Sequence, residues 1–449
     1  MNIPDEILVA ILDFATLNKN RPCPDACHQK RDYESARTLT LVSKRFRRIA
    51  TPLMFEEIRF ESHRPSMRFM VPPSRAVQKL HQLLQANPSL RPLCHTLRAE
   101  IDDTAHVVEE DFQIINDFIS WFSNLRDLTL VGGFYSSTSD VVRDNALALV
   151  GRTRELTKVK NLHVEGSMWY YETGGITLAE AANHINVSSL KGLEITAAGL
   201  SDPSTISDML TPDKIRSAPF TSLKLKGCKD YPEAIAAMIH WPRELVHFAI
   251  NTSGSFVSDM SLVQIGRCLA VHKETLKNIY IDLLGFPHGL SFRACDFPYL
   301  ETLRLSRTQI CEDPRNRNFE WKPEYADLLL GPQLHTFGLV FGVMGHSLIN
   351  NWGSMEEEWI RQLAKAASER GSALRAIEIN FSPVNPYPNL KQGVYSEWEY
   401  VYPWDRMDQL GAEILQYGVT LRYTPPPWTK EEWLNKTLWH GSLCACEDM

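Results

Sequence analysis

Three observations predict an α/β chain of short strand-and-helix repeats behind a small helical module. A triplet of apolar residues spaced L-x-x-L-x-L recurs along most of the chain. Apolar residues at helical spacing fall between successive triplets, and the N-terminal 60 residues carry helical stripes. Period two against period 3.6 is the primary distinction between strand and helix. A chain of 449 residues exceeds one ordinary core, so either several domains or one repeat array is expected.

The N-terminal elements come first. In Ile3-Pro4-Asp5-Glu6-Ile7-Leu8 a proline at the first helical position and carboxylates beside the positive end of the dipole predict a helix from Pro4. Ile7, Leu8, Ile11, Leu12 and Ala15 make its stripe. A polar, Cys- and Pro-containing stretch follows, and then a second helical pattern through Leu39, Val42, Phe46, Ile49, Ala50 and Leu53. Thr51-Pro52 reads as a fresh cap and first turn, with a strand over Phe55 to Phe60. Together with Leu41-Val42-Ser43-Lys44-Arg45-Phe46-Arg47-Arg48-Ile49-Ala50 and Pro52-Leu53-Met54-Phe55, these residues resemble the F-box over residues 3 to 60. The departure from that family is an insertion at about 18–32.

The resemblance implies a three-helix module that docks on the Skp-type adaptor of SCF ubiquitin ligases and, through it, on a cullin. Carried over by position, the adaptor contacts would be Ile3, Pro4, Ile7, Leu8, Leu41, Val42, Phe46 and Ile49. Three short helices bury too little apolar surface to be stable alone, so the need for a partner is consistent. An ordinary helical cap built from the same residues is the competing reading.

Residues 61–93 read as a helical linker and solenoid cap, and residues 94–382 carry the repeats. A weak first triplet is Cys94, Leu97 and Ala99. The clear ones begin at Leu125, Val159, Leu190, Phe220, Leu245, Leu276, Leu300, Leu334 and Leu374. The spacing runs from 24 residues (Leu276 to Leu300) to 40 (Leu334 to Leu374), looser than leucine-rich repeats usually are. Three positions beyond each triplet, where a repeat turns, stand small or polar residues such as Gly133, Ala198, Cys228 and Thr308, with Leu284 the exception. The region resembles an irregular leucine-rich-repeat solenoid, or horseshoe, with one parallel strand per repeat and a crossover outside. A conventional α/β domain would space its strands similarly and stays open. Residues 383–449, rich in proline and tryptophan, read as a C-terminal cap and tail, or as an aromatic peptide-binding groove.

In a horseshoe, the residues flanking the strand leucines share the inner face. That face is acidic around Glu165 and Glu194 and basic one strand later. Lys224, Lys226, Tyr280 and Arg304 form the candidate target-binding patch, because aromatic and arginine side chains dominate interface energies. A solvated wall is the alternative.

Composition narrows the function. With 44% hydrophobic and 22% charged residues and a formal charge of −7, the chain has no nucleic-acid signature. No secretory leader is expected at the N-terminus. The charge-free stretch Leu328 to Met355 is interrupted by Pro332, His335 and Asn350, so a buried strand plus loop is expected and not a membrane span. Nine scattered cysteines suit reduced thiols in the cytoplasm or nucleus. Cys23, Cys27 and His28, like His440, Cys444 and Cys446, fall short of a four-ligand zinc site. No cofactor motif or enzyme signature appears, so the expectation is a non-catalytic substrate receptor. A repeat scaffold without a role in ubiquitination competes with it. So does an α/β enzyme, which would require a deep pocket with strongly shifted acids or histidines.

Overall fold

The computed structural model describes residues 3–16, 33–61, 75–101, 109–134, 140–166, 175–209, 211–252, 260–282, 284, 289–311, 319–341, 352–381 and 402–433. The chain divides into two compact units, residues 1–176 with 183–192, and residues 177–182 with 193–449.

The first unit opens with three helices, α1 (Asp5–Thr16), α2 (Tyr33–Val42) and α3 (Lys44–Glu56). Strand β1 (Glu57–Glu61), α4 (Arg75–Ala86), β2 (Thr96–Glu100), α5 (Glu109–Trp121), β3 (Asp127–Val131), α6 (Asp140–Arg152) and β4 (Asn161–Glu165) follow. The helical break comes at Ser43, and Thr51-Pro52 starts nothing new. Ser43 is extended, and its hydroxyl accepts from the Phe46 N–H at 3.1 Å, which caps α3. Pro52 is carried inside α3, where Leu53 packs with Ile49, Ala50, Leu8 and Leu12.

After α7 (Leu178–His184), the second unit runs β5 (Gly192–Thr196), α8 (Pro203–Met209), β6 (Ser222–Lys226), α9 (Pro232–His240), β7 (His247–Asn251), α10 (Leu262–Leu269) and β8 (Asn278–Ile281). It continues with β9 (Thr302–Ser306), α11 (Arg307–Ile310), α12 (Glu324–Leu329), β10 (Thr336–Val340), α13 (Ser354–Glu369), β11 (Ala376–Asn380), α14 (Pro403–Ile414) and β12 (Thr420–Tyr423).

Within each unit every strand lies next to its successor in the chain, and β1 to β4 and β6 to β12 pair in parallel. A doubly wound sheet reverses its strand order part-way, and neither unit does so. The fold is α/β, and its one-directional progression is compatible with a solenoid.

The apolar triplets explain the register. Every residue of the ten triplets from Cys94 to Ile379 is at most 2% exposed. Leu223, Phe248, Ile279, Leu303, Phe337, Ile377 and Leu421 stand opposite one another in a continuous row. Each fully buried aliphatic member contributes about 1.5–3 kcal/mol of transfer free energy. A one-residue slip would turn the row to the other face, so the pattern enforces one pairing. The carbonyl just before a strand recurrently accepts two N–H groups of the next repeat. His95 does so from Arg126 (2.8 Å) and Asp127 (3.1 Å), and Lys277 from Glu301 (2.8 Å) and Thr302 (3.0 Å).

Two strands lie outside the ten triplets. In β1, Phe55, Ile58 and Phe60 keep the triplet spacing. In β12 the leading apolar position is Gly418, at φ 74°, and the buried Val419 beside it fills the core. The aromatic residues after Pro383 that fall within the description pack around this strand. Trp404 meets Phe381, Tyr402 and Trp433 at ring distances of 5.6, 5.0 and 5.8 Å, and its indole N–H donates to the Thr424 carbonyl. The C-terminal segment therefore extends the ladder by one strand as well as covering it.

Candidate protein-binding surfaces

In the helical module, α1 and α3 face each other through Leu8, Leu12, Ile49, Ala50 and Leu53, with Leu39 and Phe46 packed against them. An ionic clasp holds the same pair of helices. Arg45 donates to Asp5 at 2.8 Å and Arg48 also binds that carboxylate. The Arg45 hydrogen bond holds the Asp5 carboxyl below its ordinary value. Part of the basic cluster at 44–48 thus fastens α1 to α3. Arg47 instead reaches back to the Thr40 carbonyl at 3.3 Å.

The α1 stripe divides in two. Leu8 and Leu12 are buried, whereas Ile7 and Ile11 are about half exposed, as are Ile3 and Val9 to a lesser degree. Leu41 and Val42, at the end of α2, are 70% and 61% exposed. Of the expected adaptor contacts, Ile3, Pro4, Ile7, Leu41 and Val42 are at the surface and Phe46 is half-buried. Leu8 and Ile49 are the correction: the module's own core covers them, so they hold the helices together. Phe14, 61% exposed, adds to the apolar surface without having been singled out by the sequence. The 18–32 insertion lies outside the described residues, as do Cys23, Cys27, His28, His440, Cys444 and Cys446.

The second surface is the strand face opposite the buried row. Across β6 to β12 it reads Lys224, Ala249, Tyr280, Arg304, Gly338, Glu378 and Arg422, each opposite the next. Lys224 and Lys226 both bind Glu194, at 3.4 and 2.8 Å. Arg304 reaches over β10 to Glu378, with Nε at 3.1 Å and Nη2 at 2.7 Å. Gly338 makes that crossing possible, because a Cβ there would stand 2.5 Å from Arg304 Cγ. Tyr280 is steadied by its hydroxyl, which donates to Asp282 at 3.2 Å. The Asn278 amide Nδ2 donates to His247 Nδ1 at 2.9 Å, and burial lowers the histidine's pKa. Lys224, Tyr280 and Arg304 thus share one row, with Lys226 two residues along β6. Arg422 and Gly338 were not among the sequence candidates. Arg422 sits on the strand whose triplet is broken, and a glycine becomes visible only once Arg304 is seen to lie on it.

In the first unit the corresponding face is more acidic. Arg98 meets Glu165 at 3.3 Å, Arg59 meets Glu57 at 2.6 Å, and Asn161 donates to Asp127 at 2.6 Å.

A concavity of about 280 Å³ between α13 and α14 is lined by Glu357, Arg361, Arg406, Gln409, Leu410 and Glu413. Its charges are mutually engaged, Arg406 with Glu357 at 2.5 Å and Arg361 with Glu413 at 2.6 Å. The Arg361 hydrogen bond holds the Glu413 carboxyl below its ordinary value. Burial pushes the Cys94 and Cys228 thiols up to about 12 and raises Glu356, which Arg307 binds at 2.7 Å. Among the described residues no group of His, Cys, Asp or Glu is placed to hold a metal ion, and no helix is long and apolar enough to cross a membrane. No protein-family model matches the chain, and none of the curated proteins compared is significantly similar to it.

Proposed function

We propose that this chain is the substrate-recognition subunit of an SCF-type cullin ubiquitin ligase, with α1–α3 acting as an F-box and the strand repeats as an irregular leucine-rich-repeat horseshoe. The observation that carries the proposal is the apolar surface of the helical module, where Ile3, Ile7, Leu41 and Val42 face solvent beside a small, separately closed core. Full burial of such a side chain contributes about 1.5–3 kcal/mol, and these, 40 to 70% exposed, have roughly half of that still to gain, which is how a marginal three-helix module gains both stability and a partner. A Skp-type adaptor supplies that cover and links the chain to a cullin. The repeats then hold a target protein through the face that carries Lys224, Lys226, Tyr280 and Arg304. Catalysis belongs to other subunits, and the complex works in the cytoplasm or nucleus.

One observation favours the second reading, a repeat scaffold without a role in ubiquitination. Lys224, Lys226 and Arg304 are engaged by carboxylates of their own face, as in a wall that needs no target. Capture by an immobilised Skp-type adaptor separates the two. The intact chain is expected to bind, and Ile7→Glu with Leu41→Glu is expected to abolish binding without changing the melting temperature. Absence of capture, or capture unaffected by those changes, refutes the F-box reading. Leu8 is a poor probe, because its replacement would also unfold the module.

A further inference from the structure

The cations and carboxylates of the β5–β12 face are layered. Lys224, Lys226, Arg304 and Arg422 have side chains 43 to 67% exposed, whereas Glu194 and Glu378 are 21% and 27% exposed. The carboxylates lie beneath the cations and hold them up. Asp282, the other acid of this face, is buried and accepts from Asn251 at 2.9 Å as well as from Tyr280. An approaching molecule therefore meets two cationic poles, Lys224 with Lys226 near β6 and Arg304 with Arg422 around β11. Both poles are ordered beforehand, which reduces the entropy lost on binding an anion. Ala249 keeps the floor low beside Tyr280, whose ring stands between the poles.

We infer that this face takes an extended acidic segment of a partner protein, one carboxylate meeting Lys224 and Lys226 and a second meeting Arg304 and Arg422. Five strand steps separate β6 from β11, about 24 Å, which an extended peptide spans in about seven residues. An apolar side chain between the two carboxylates lies over Ala249 against the Tyr280 ring. Gly338 is a positioning residue, since any side chain there displaces Arg304 from Glu378. A nucleic acid strand fits less well: its evenly spaced phosphates would stand over Glu194 and Glu378 as well as over the cations. The inference rests on the reading of this face as the target-binding side and specifies its chemistry.

The test is fluorescence anisotropy of the full chain with synthetic peptides. Two glutamates are placed two to ten residues apart around a central leucine in a serine background, with lysine versions as controls. Affinity is expected to peak near a spacing of seven, about tenfold above a spacing of two, and Arg422→Glu or Lys224→Glu is expected to lower the peak about tenfold. Arg422 is largely exposed, so its reversal leaves folding intact; Gly338→Ala is expected to weaken the same peptide without a change of net charge. A preference for glutamate that ignores spacing, or one that survives both reversals, overturns the inference. So does equal binding of a single-stranded oligonucleotide. Adaptor capture is measured on the same variants and is expected to persist. If the intact chain binds the spaced peptide but not the adaptor, the ligase reading fails and the acidic-segment inference stands.

Discussion

The repeat strands of the second unit and the helical module of the first satisfy their apolar residues in opposite ways. From Phe248 to Ile377 each inward residue of the row faces an equivalent one on both neighbouring strands and none is more than 2% exposed. The module closes a core of five residues and leaves Ile3, Ile7, Val9, Ile11, Phe14, Leu41 and Val42 at its surface. A repeat array is completed by its own next copy, whereas a three-helix module has no next copy, and the proposed adaptor would complete it from outside. The difference predicts which residues fail by unfolding and which by loss of a partner.

The largest effect is expected in the strand row. Phe337→Ala should lower unfolding free energy by about 3–5 kcal/mol in denaturant titrations, because both neighbouring repeats lose a contact. A loss below about 1 kcal/mol would mean that the row is not close-packed. Next comes the turn after β6. There the fully buried Asp230 accepts from Leu178 N–H, Ser201 N–H, Ser201 Oγ and Tyr231 N–H at 2.6 to 3.1 Å. Asp230→Ala strands those donors and should cost about 3 kcal/mol. Asp230→Asn, which retains acceptor capacity, should cost less.

The smallest effect belongs to the module. Asp5→Asn should speed hydrogen exchange of α1 amides while leaving the strands unchanged. The sign with pH follows from the depressed carboxyl: the Asp5 clasp is present above its ordinary value of 3.8 and fades as the pH falls below it. Wild-type α1 should therefore loosen in acid, and the Asp5→Asn variant should lack that step. Equal acid behaviour of the two proteins would remove the clasp from the account.

The strands were legible because two independent signals coincide at all the clear triplets except the one before Leu284, an apolar triplet and a change of residue type at the following turn. β12 was not, since Gly418 and Val419 replace the leading apolar residue and only the pairing with β11 reveals it. At the N-terminus, residue types located the helices but misplaced the break. Proline at 52 looks like a boundary, yet the hydroxyl of Ser43 supplies the cap nine residues earlier. Helical periodicity also could not divide the α1 stripe into Leu8 and Leu12 inside and Ile7 and Ile11 outside, because a stripe wider than its core looks the same in sequence. On the strand face, side-chain order along the chain placed Lys224, Tyr280 and Arg304 correctly in one row. It could not show that Glu194 and Glu378 lie beneath the cations, which depends on how far each side chain reaches across its neighbours.

The central claim is that the exposed apolar residues of the helical module exist to be covered by an adaptor. Calorimetric titration of a Skp-type adaptor into the intact chain and into the Ile7→Glu, Leu41→Glu variant tests it most directly. The account predicts saturable binding with a negative heat-capacity change for the intact chain, none for the variant, and equal melting temperatures in the absence of adaptor. Equal affinity for both chains, or no binding by either, would contradict it.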